Sequence, residues 1–267
     1  MRRPLLYLAL LAALAALTET SRLAANLQFA ADGAAGALLY AADFGSPDDS
    51  MGLSAGGGSA RLQDGELRLE PGEPNRLVYS VAGPELADFE LEVETRAQAG
   101  PLDNGFGVLF RLQQPRSFPL AEAFGLPVTG GAAGISYYLF LASSDGYYQL
   151  LRTLSGRQQV LSTWIPSTFI RQGIGVSNRL KIRARGTELE FFINDRQLEF
   201  CIPDNSSDSS TWVAGECLGG QMRSAVRDDV LLRGRIALAA QSMHESGVLL
   251  AFDKLLLRMP AEGAEAA

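Results

Sequence analysis

The chain has 267 residues, 47% of them hydrophobic, and a formal net charge of −7. That length and apolar content suffice for one domain with a full core, since all-β sandwiches of roughly 200 to 250 residues commonly form a single unit. The acidic balance speaks against nucleic acid or an anionic membrane surface as partner.

Met1-Arg2-Arg3-Pro4 is a short basic segment, and Leu5 to Leu17 is an uninterrupted apolar run. It is shorter than the ~20 residues that a spanning helix needs. This pattern predicts a signal peptide over 1–17, or else an uncleaved signal anchor, and with either an extracytoplasmic location. Attachment to a membrane is expected only through such an anchor. Residues 18–36 are Ala-rich and read as a linker, 37–259 as the folded domain, and the Ala/Glu stretch 260–267 as a disordered tail.

The first strand is expected from Leu38 to Phe44. Residues 46–58 read as a loop by their Gly, Ser, Asp and Pro content, and the Gly56-Gly57-Gly58 cluster lacks the Lys of a phosphate loop. Short strands follow at 65–69 and 76–80. Phe89 to Ala97 alternates cleanly, with Phe89, Leu91, Val93, Thr95 and Ala97 on one side and Glu90, Glu92, Glu94 and Arg96 on the other, the period of a strand with one wet face.

The centre of the chain runs from Asp103 to Thr153. Phe106, Val108, Phe110 and Leu112 alternate with Gly105, Gly107, Arg111 and Gln113, which predicts a strand with one core face and one available face. Two aromatic-rich strands, near 136–142 and 147–153, are joined at Asp145-Gly146, where Gly supplies the positive φ of a tight turn. If the loop is Ser144-Asp145-Gly146, Tyr148 shares a face with Phe140 and Tyr138; if the turn is Asp145-Gly146 alone, it faces Leu139 and Leu141. Tyr138, Phe140, Tyr148, Phe106 and Phe110 are read as core. Residues 115–134, rich in Pro, Gly and Ala, are expected to form a loop over one end.

Further strands are expected at 158–164, 178–185, 188–193, 196–200, 234–240 and 248–258. Asn194-Asp195 must turn with Asp in the left-handed region. Between Cys201 and about Leu232 lies a second insertion, and the two cysteines, Cys201 and Cys217, are expected to pair, as exported proteins favour. His244, the single histidine, reads as a solvated loop residue. About a dozen strands and hardly any helical period predict an all-β, two-sheet antiparallel sandwich or jelly roll.

The ordered string Asp103-Asn104-Gly105-Phe106-Gly107, Phe110-Arg111, Tyr138, Phe140, Ser143-Ser144-Asp145-Gly146-Tyr147-Tyr148, Trp164 with Ile170 and Gly173, Asn178-Arg179-Leu180, Ile182 and Phe192-Ile193-Asn194 resembles the concanavalin A-like lectin/glucanase superfamily. Within it the chain is similar to the laminin G-like and 3-keto-disaccharide hydrolase-related modules of exported bacterial proteins. The resemblance implies a concanavalin A-like jelly roll from about Asp43 to Leu257, with two insertions that reshape a binding cleft.

It also implies three chemistries to test. Glycan-cleaving members carry carboxylates at alternate strand positions, about 5 to 9.5 Å apart depending on mechanism. Glu90, Glu92 and Glu94 match the alternation but lack the E-x-D-x-x-E pattern, and a solvated strand face is the competing reading. A structural Ca²⁺ would draw on Asp43 and Asp253, which otherwise pair with an Arg or a strand-end amide. A carbohydrate or other cell-envelope ligand is expected on the concave face, with Tyr147 stacking, Arg111, Gln113 and Gln149 as polar partners and Asn104 at the groove's end. Alternatively Arg111 pairs with a Glu of a neighbouring strand. The leading expectation is a non-catalytic binding module; a glycoside-cleaving enzyme and a structural or adhesion domain are the alternatives.

Overall fold

The computed structural model describes residues 35–46, 52–54, 58–114, 134–205 and 208–261. The expected signal segment, most of the linker, the loop 115–133 and the tail from 262 lie outside these residues. Twenty strands run through the described residues: β1 (Leu38–Ala42), β2 (Gly52–Ser54), β3 (Gly58–Gln63), β4 (Glu66–Pro71), β5 (Leu77–Leu86), β6 (Phe89–Ala99), β7 (Asn104–Gln113), β8 (Ser136–Ala142), β9 (Tyr147–Leu154) and β10 (Arg157–Pro166). After these come β11 (Asn178–Arg185), β12 (Glu188–Ile193), β13 (Arg196–Gln197), β14 (Phe200–Pro203), β15 (Thr211–Val213), β16 (Glu216–Leu218), β17 (Gly220–Arg223), β18 (Ala225–Arg227), β19 (Gly234–Ser242) and β20 (Leu249–Arg258).

They form two large antiparallel sheets, as expected for an all-β sandwich. The first is ordered β13-β12-β11-β6-β20-β4-β3, with β1 on β20 and β18 on β12; the second is ordered β10-β9-β8-β7-β19-β5-β2. Alternation explains the first sheet. Phe89, Leu91, Val93 and Ala97 of β6 are buried beside Leu180, Ile182 and Ala184 of β11 and Leu189, Phe191 and Ile193 of β12, while the intervening charges face outward. From the second sheet Phe106, Val108, Phe110, Tyr138, Phe140, Tyr148 and Leu150 complete the core. Its centre is aromatic: Phe110 stacks on Tyr138 at 5.1 Å, and Phe191 meets Phe140 and Phe200 at 5.0 Å each. Such pairs add to the burial of each ring.

The hairpin between β8 and β9 takes the wider of the two expected registers. Ala142 pairs with Tyr148 and Phe140 with Leu150, so Tyr148 joins the core face. The Ser143 amide donates to the Tyr147 carbonyl at 2.8 Å, and Gly146 takes φ +97°, which leaves Ser144, Asp145 and Gly146 as the loop. The β12–β13 turn has φ +50° at Asn194 and +65° at Asp195, the left-handed pair that a two-residue hairpin needs. Asn194 secures it by accepting from the Arg179 amide and donating to the Phe169 carbonyl.

Three expectations are corrected. Strand β7 is buried on both faces down to Leu112, so the face opposite Phe106 is not an open polar one. Val81, Leu109, Leu112, Tyr137, Leu139, Leu141, Leu151, Ala237 and Ala239 form a second apolar cluster there, all drawn from the second sheet itself. Strand β2 lies within residues 46–58, which were read as a loop, and β3 runs from the end of that loop through residues for which no strand was expected. The 201–232 insertion carries the rest of β14 and four further strands, too short to show an alternation in sequence.

Candidate functional site

The five residues expected on one concave face fall at opposite ends of β7 and on different sides of the sheet. Asn104 is fully buried, donating to the Pro101 carbonyl (2.7 Å) and accepting from the Ser144 hydroxyl (3.1 Å), which anchors the β8–β9 loop. Tyr147 is 41% exposed at that end, and Gln149, two residues on, is 8% exposed. Seven residues further along β7, roughly 23 Å at strand rise, Arg111 points the other way.

The cause is a bulge. Arg111 takes φ +50°, and β7 spends one extra residue between Leu109 and Leu112 against β19. Phe110 and Arg111 therefore both turn inward, and Leu112 returns to the outer cluster. Gly234 permits this, because a Cβ there would meet the Arg111 carbonyl carbon at 2.3 Å. The buried guanidinium donates to the carbonyls of Leu231 (2.8 Å), Ala87 (3.3 Å) and Gly186 (2.5 Å), not to a Glu of a neighbouring strand. Burial lowers its pKa, and Tyr138, Asp88 and Asp228 oppose that shift. Gln113 is exposed and donates to the Arg233 carbonyl at 2.8 Å.

Glu90, Glu92 and Glu94 lie on the outer face of the first sheet, within a ladder of cations. Lys181 reaches Glu90 at 2.8 Å and Glu92 at 3.2 Å, Arg183 reaches Glu90 at 2.9 Å, and Lys254 reaches Glu94 at 2.9 Å. Burial alone would raise the Glu90 pKa; hydrogen bonds and charge from Lys181 and Arg183 outweigh it and hold the carboxyl below its ordinary value. A general acid for glycoside cleavage needs the opposite shift. Glu90's contribution to stability is thus complete above the ordinary glutamate range and lost as pH falls through the depressed folded value. Glu90→Gln should lower the urea midpoint at neutral pH, with the gap to wild type closing at low pH. A gap that stays constant with pH would show that the charge is not what holds this face.

Asp43 and Asp253, the carboxylates expected to draw calcium, each accept a local backbone hydrogen bond. Asp43, just past β1, accepts from the Gly45 amide at 3.0 Å, and Asp253, in the middle of β20, accepts from the Lys254 amide at 2.7 Å. Among the described residues no group of three or more potential ligating side chains exists, whereas calcium takes six to eight oxygens. His244 is exposed on the β19–β20 loop and contacts Asp103 at 2.9 Å.

The site that sequence reading located only as an insertion is a cleft of about 750 Å³ on the flank where both sheets end. Edge strand β10 supplies one wall, β12 and β18 the other, and β14 and β17 close it. The insertion bridges the two edges: β18 pairs with β12, the Cys201 amide donates to the Ser162 hydroxyl at 3.2 Å, and the Trp212 amide donates to Thr163 at 2.9 Å. Such cover protects the edge backbone. Cys201 and Cys217 form the expected disulfide, with Cα atoms 5.4 Å apart, tying β16 to β14.

Asp228 sets the base of this cleft. It accepts from the Tyr138 hydroxyl at 2.5 Å, from the Val230 amide at 2.9 Å and from the partly buried Arg152 guanidinium, which also donates to Gln159 at 2.6 Å. Burial, then the bond and charge of Asp228, push the Tyr138 phenol well up, so it stays a protonated donor. Leu161, Ile202, Met222 and Val226 give an apolar lining, and Arg223, Arg227, Glu188 and Asp204 give a polar rim. Apolar surface beside a few fixed polar groups is what orients a small ligand. Tyr138, Arg152 and Asp228 span 90 positions, and only the disulfide pair hinted at the insertion.

No protein-family model and no curated protein sequence matches the chain significantly. Solved structures do. The carbohydrate binding module CBM66 from Bacillus subtilis superposes with a TM-score of 0.51 at 11% identity, over 79% of this chain and 97% of that one. A Bacillus subtilis protein of unknown function with a galectin-like fold superposes with a TM-score of 0.54 at 12% identity, over 86% and 99%. Such likeness establishes architecture and not activity. The chain has the concanavalin A-like jelly-roll fold.

Proposed function

We propose that this protein is an exported, non-catalytic carbohydrate-binding module, and that it takes its ligand in the flank cleft. The observation that carries the reading is the cleft itself, about 750 Å³ with a mixed apolar and polar lining. That size lies within the range of small-ligand sites. The fold shared with a carbohydrate-binding module supports the ligand class, and the disulfide supports an oxidising, extracytoplasmic compartment. The ion-paired state of Glu90 and its neighbours supports binding without cleavage. The ligand's hydroxyls would meet the rim guanidiniums and carboxylates, while a sugar's C–H face would lie on Met222 and Ile202.

A second place deserves its own variant because Tyr147 is exposed at the β8–β9 end, with Leu102 and Ile174 also exposed on the loops bonded to that hairpin. A glycan array with the intact chain should identify bound saccharides. Arg223→Ala combined with Arg227→Ala should weaken them about tenfold or more, while Tyr147→Ala leaves them unchanged. Binding lost in Tyr147→Ala and kept in the arginine pair moves the site to the hairpin end. No bound glycan at all ends the carbohydrate reading.

A further inference from the structure

The outer face of the second sheet is apolar and dry. Leu109 and Leu112 of β7, Tyr137, Leu139 and Leu141 of β8, Leu151 of β9, and Ala237 and Ala239 of β19 are buried there, and so are the polar Gln149 and Thr153 of β9 on the same face. Among the described residues, every buried member of this cluster comes from the one sheet. Side chains on one face of a sheet stand side by side and roughly perpendicular to it, so they shield one another's flanks and not their tips. A further layer must lie on them. The first sheet packs on the opposite side, and the insertion after Cys201 covers the flank.

The chain leaves and re-enters this face between β7 and β8. Leu112, shortly before the segment 115–133, belongs to the cluster, and Ile135, shortly after it, packs against the cluster. The return end is held down: the Gly156 amide donates to the Ile135 carbonyl at 2.9 Å, and a Cβ on Gly134 would meet the Ser155 carbonyl carbon at 2.5 Å. Out and back, a chain of this length reaches at most roughly 30 Å, well beyond the roughly 13 Å from Tyr137 to Leu141 along β8. Its composition suits an apolar floor, with Phe118, Leu120, Phe124, Leu126 and Val128 against a single acid, Glu122, and a single base, Arg116. The other long stretch outside the described residues, 1–34, joins β1, which pairs with β20 in the first sheet.

We propose that residues 115–133 lie on the outer face of the second sheet as a fixed third layer, with those apolar side chains against the cluster. Burial there removes a contiguous apolar patch that two sheets alone would show to water. The face on which a ligand was expected is then taken by the chain itself, whether or not the flank cleft binds a saccharide.

The test places a photoreactive benzophenone side chain at Tyr137 in the full chain and maps the peptide that it captures on irradiation. Capture within residues 115–133 is the expected result. Capture of residues 1–34, of a second copy of the chain, or of nothing overturns the inference. A second variant, Phe118→Ser combined with Phe124→Ser, should lower the melting temperature by roughly 5 °C or more and bind a hydrophobic dye that the wild type does not. A double variant that melts like the wild type and stays dark with the dye would also overturn it.

Discussion

Arg111→Ala should cost about 3–5 kcal/mol of folding stability, from the lost charge-assisted hydrogen bonds and the cavity left by a large buried side chain. One guanidinium holds carbonyls from the Leu231 segment, the β5–β6 turn and the β11–β12 turn, so it joins the insertion to the ends of both sheets. Removing it leaves three acceptors without their charged donor, and also a cavity in place of one of the largest fully buried side chains. For a domain of this size the melting temperature should fall by roughly 10 °C or more. Arg111→Lys should recover only part, because one ammonium cannot fork to three carbonyls on separate elements. Denaturant titration with an unchanged slope gives the number. A loss below about 1 kcal/mol would mean that the carbonyls find other donors, and the strut would not be one.

Reducing the Cys201–Cys217 bond should cost about 3 kcal/mol, the chain-entropy value for a loop of this length. The loss should be local before it is global. The β15–β16 hairpin is bound to the body of the fold through the disulfide, the Trp212 amide on Thr163 and the Ser210 hydroxyl on the Cys201 carbonyl. Hydrogen exchange over residues 208–218 should therefore accelerate on reduction while β6 and β7 keep their protection. Cleft binding should weaken in parallel, since β14 forms part of the wall. Free thiols titrated in the unfolded, unreduced protein would contradict the bond. Uniform exchange throughout the domain after reduction would contradict its local role.

The two-sheet sandwich could be read from the sequence wherever a strand has one wet face. In β6 and β11 the period of two is written directly, with Glu90, Glu92 and Glu94 set against Arg179, Lys181 and Arg183 across the pair. Turn chemistry was equally legible at Gly146 and at Asn194-Asp195, because positive φ restricts which residues can stand there. The cysteine pair announced its bond for lack of any other partner.

What the sequence could not determine followed from single-residue breaks in that period and from contacts between distant segments. Arg111 stands where alternation places it on the outer face, the same face as Gln149. The bulge at Arg111, accommodated by Gly234 more than a hundred residues later, turns it into the sandwich. A bulge leaves almost no mark on a hydrophobic pattern, since it shifts the register by one without changing composition. The flank cleft was invisible for a related reason. Tyr138, Arg152 and Asp228 are each unremarkable in sequence, and they become one network only when the insertion crosses from β14 to β18 and closes both sheet edges. Local pattern thus determined the long alternating strands, the turns and the disulfide of this protein, because those depend on neighbours one to sixteen residues away, whereas β2, β3 and the short strands of the insertion left no such pattern. Which polar groups are buried struts and which line a cleft was decided by the tertiary structure alone, because desolvation and ion pairing depend on what the rest of the chain brings alongside.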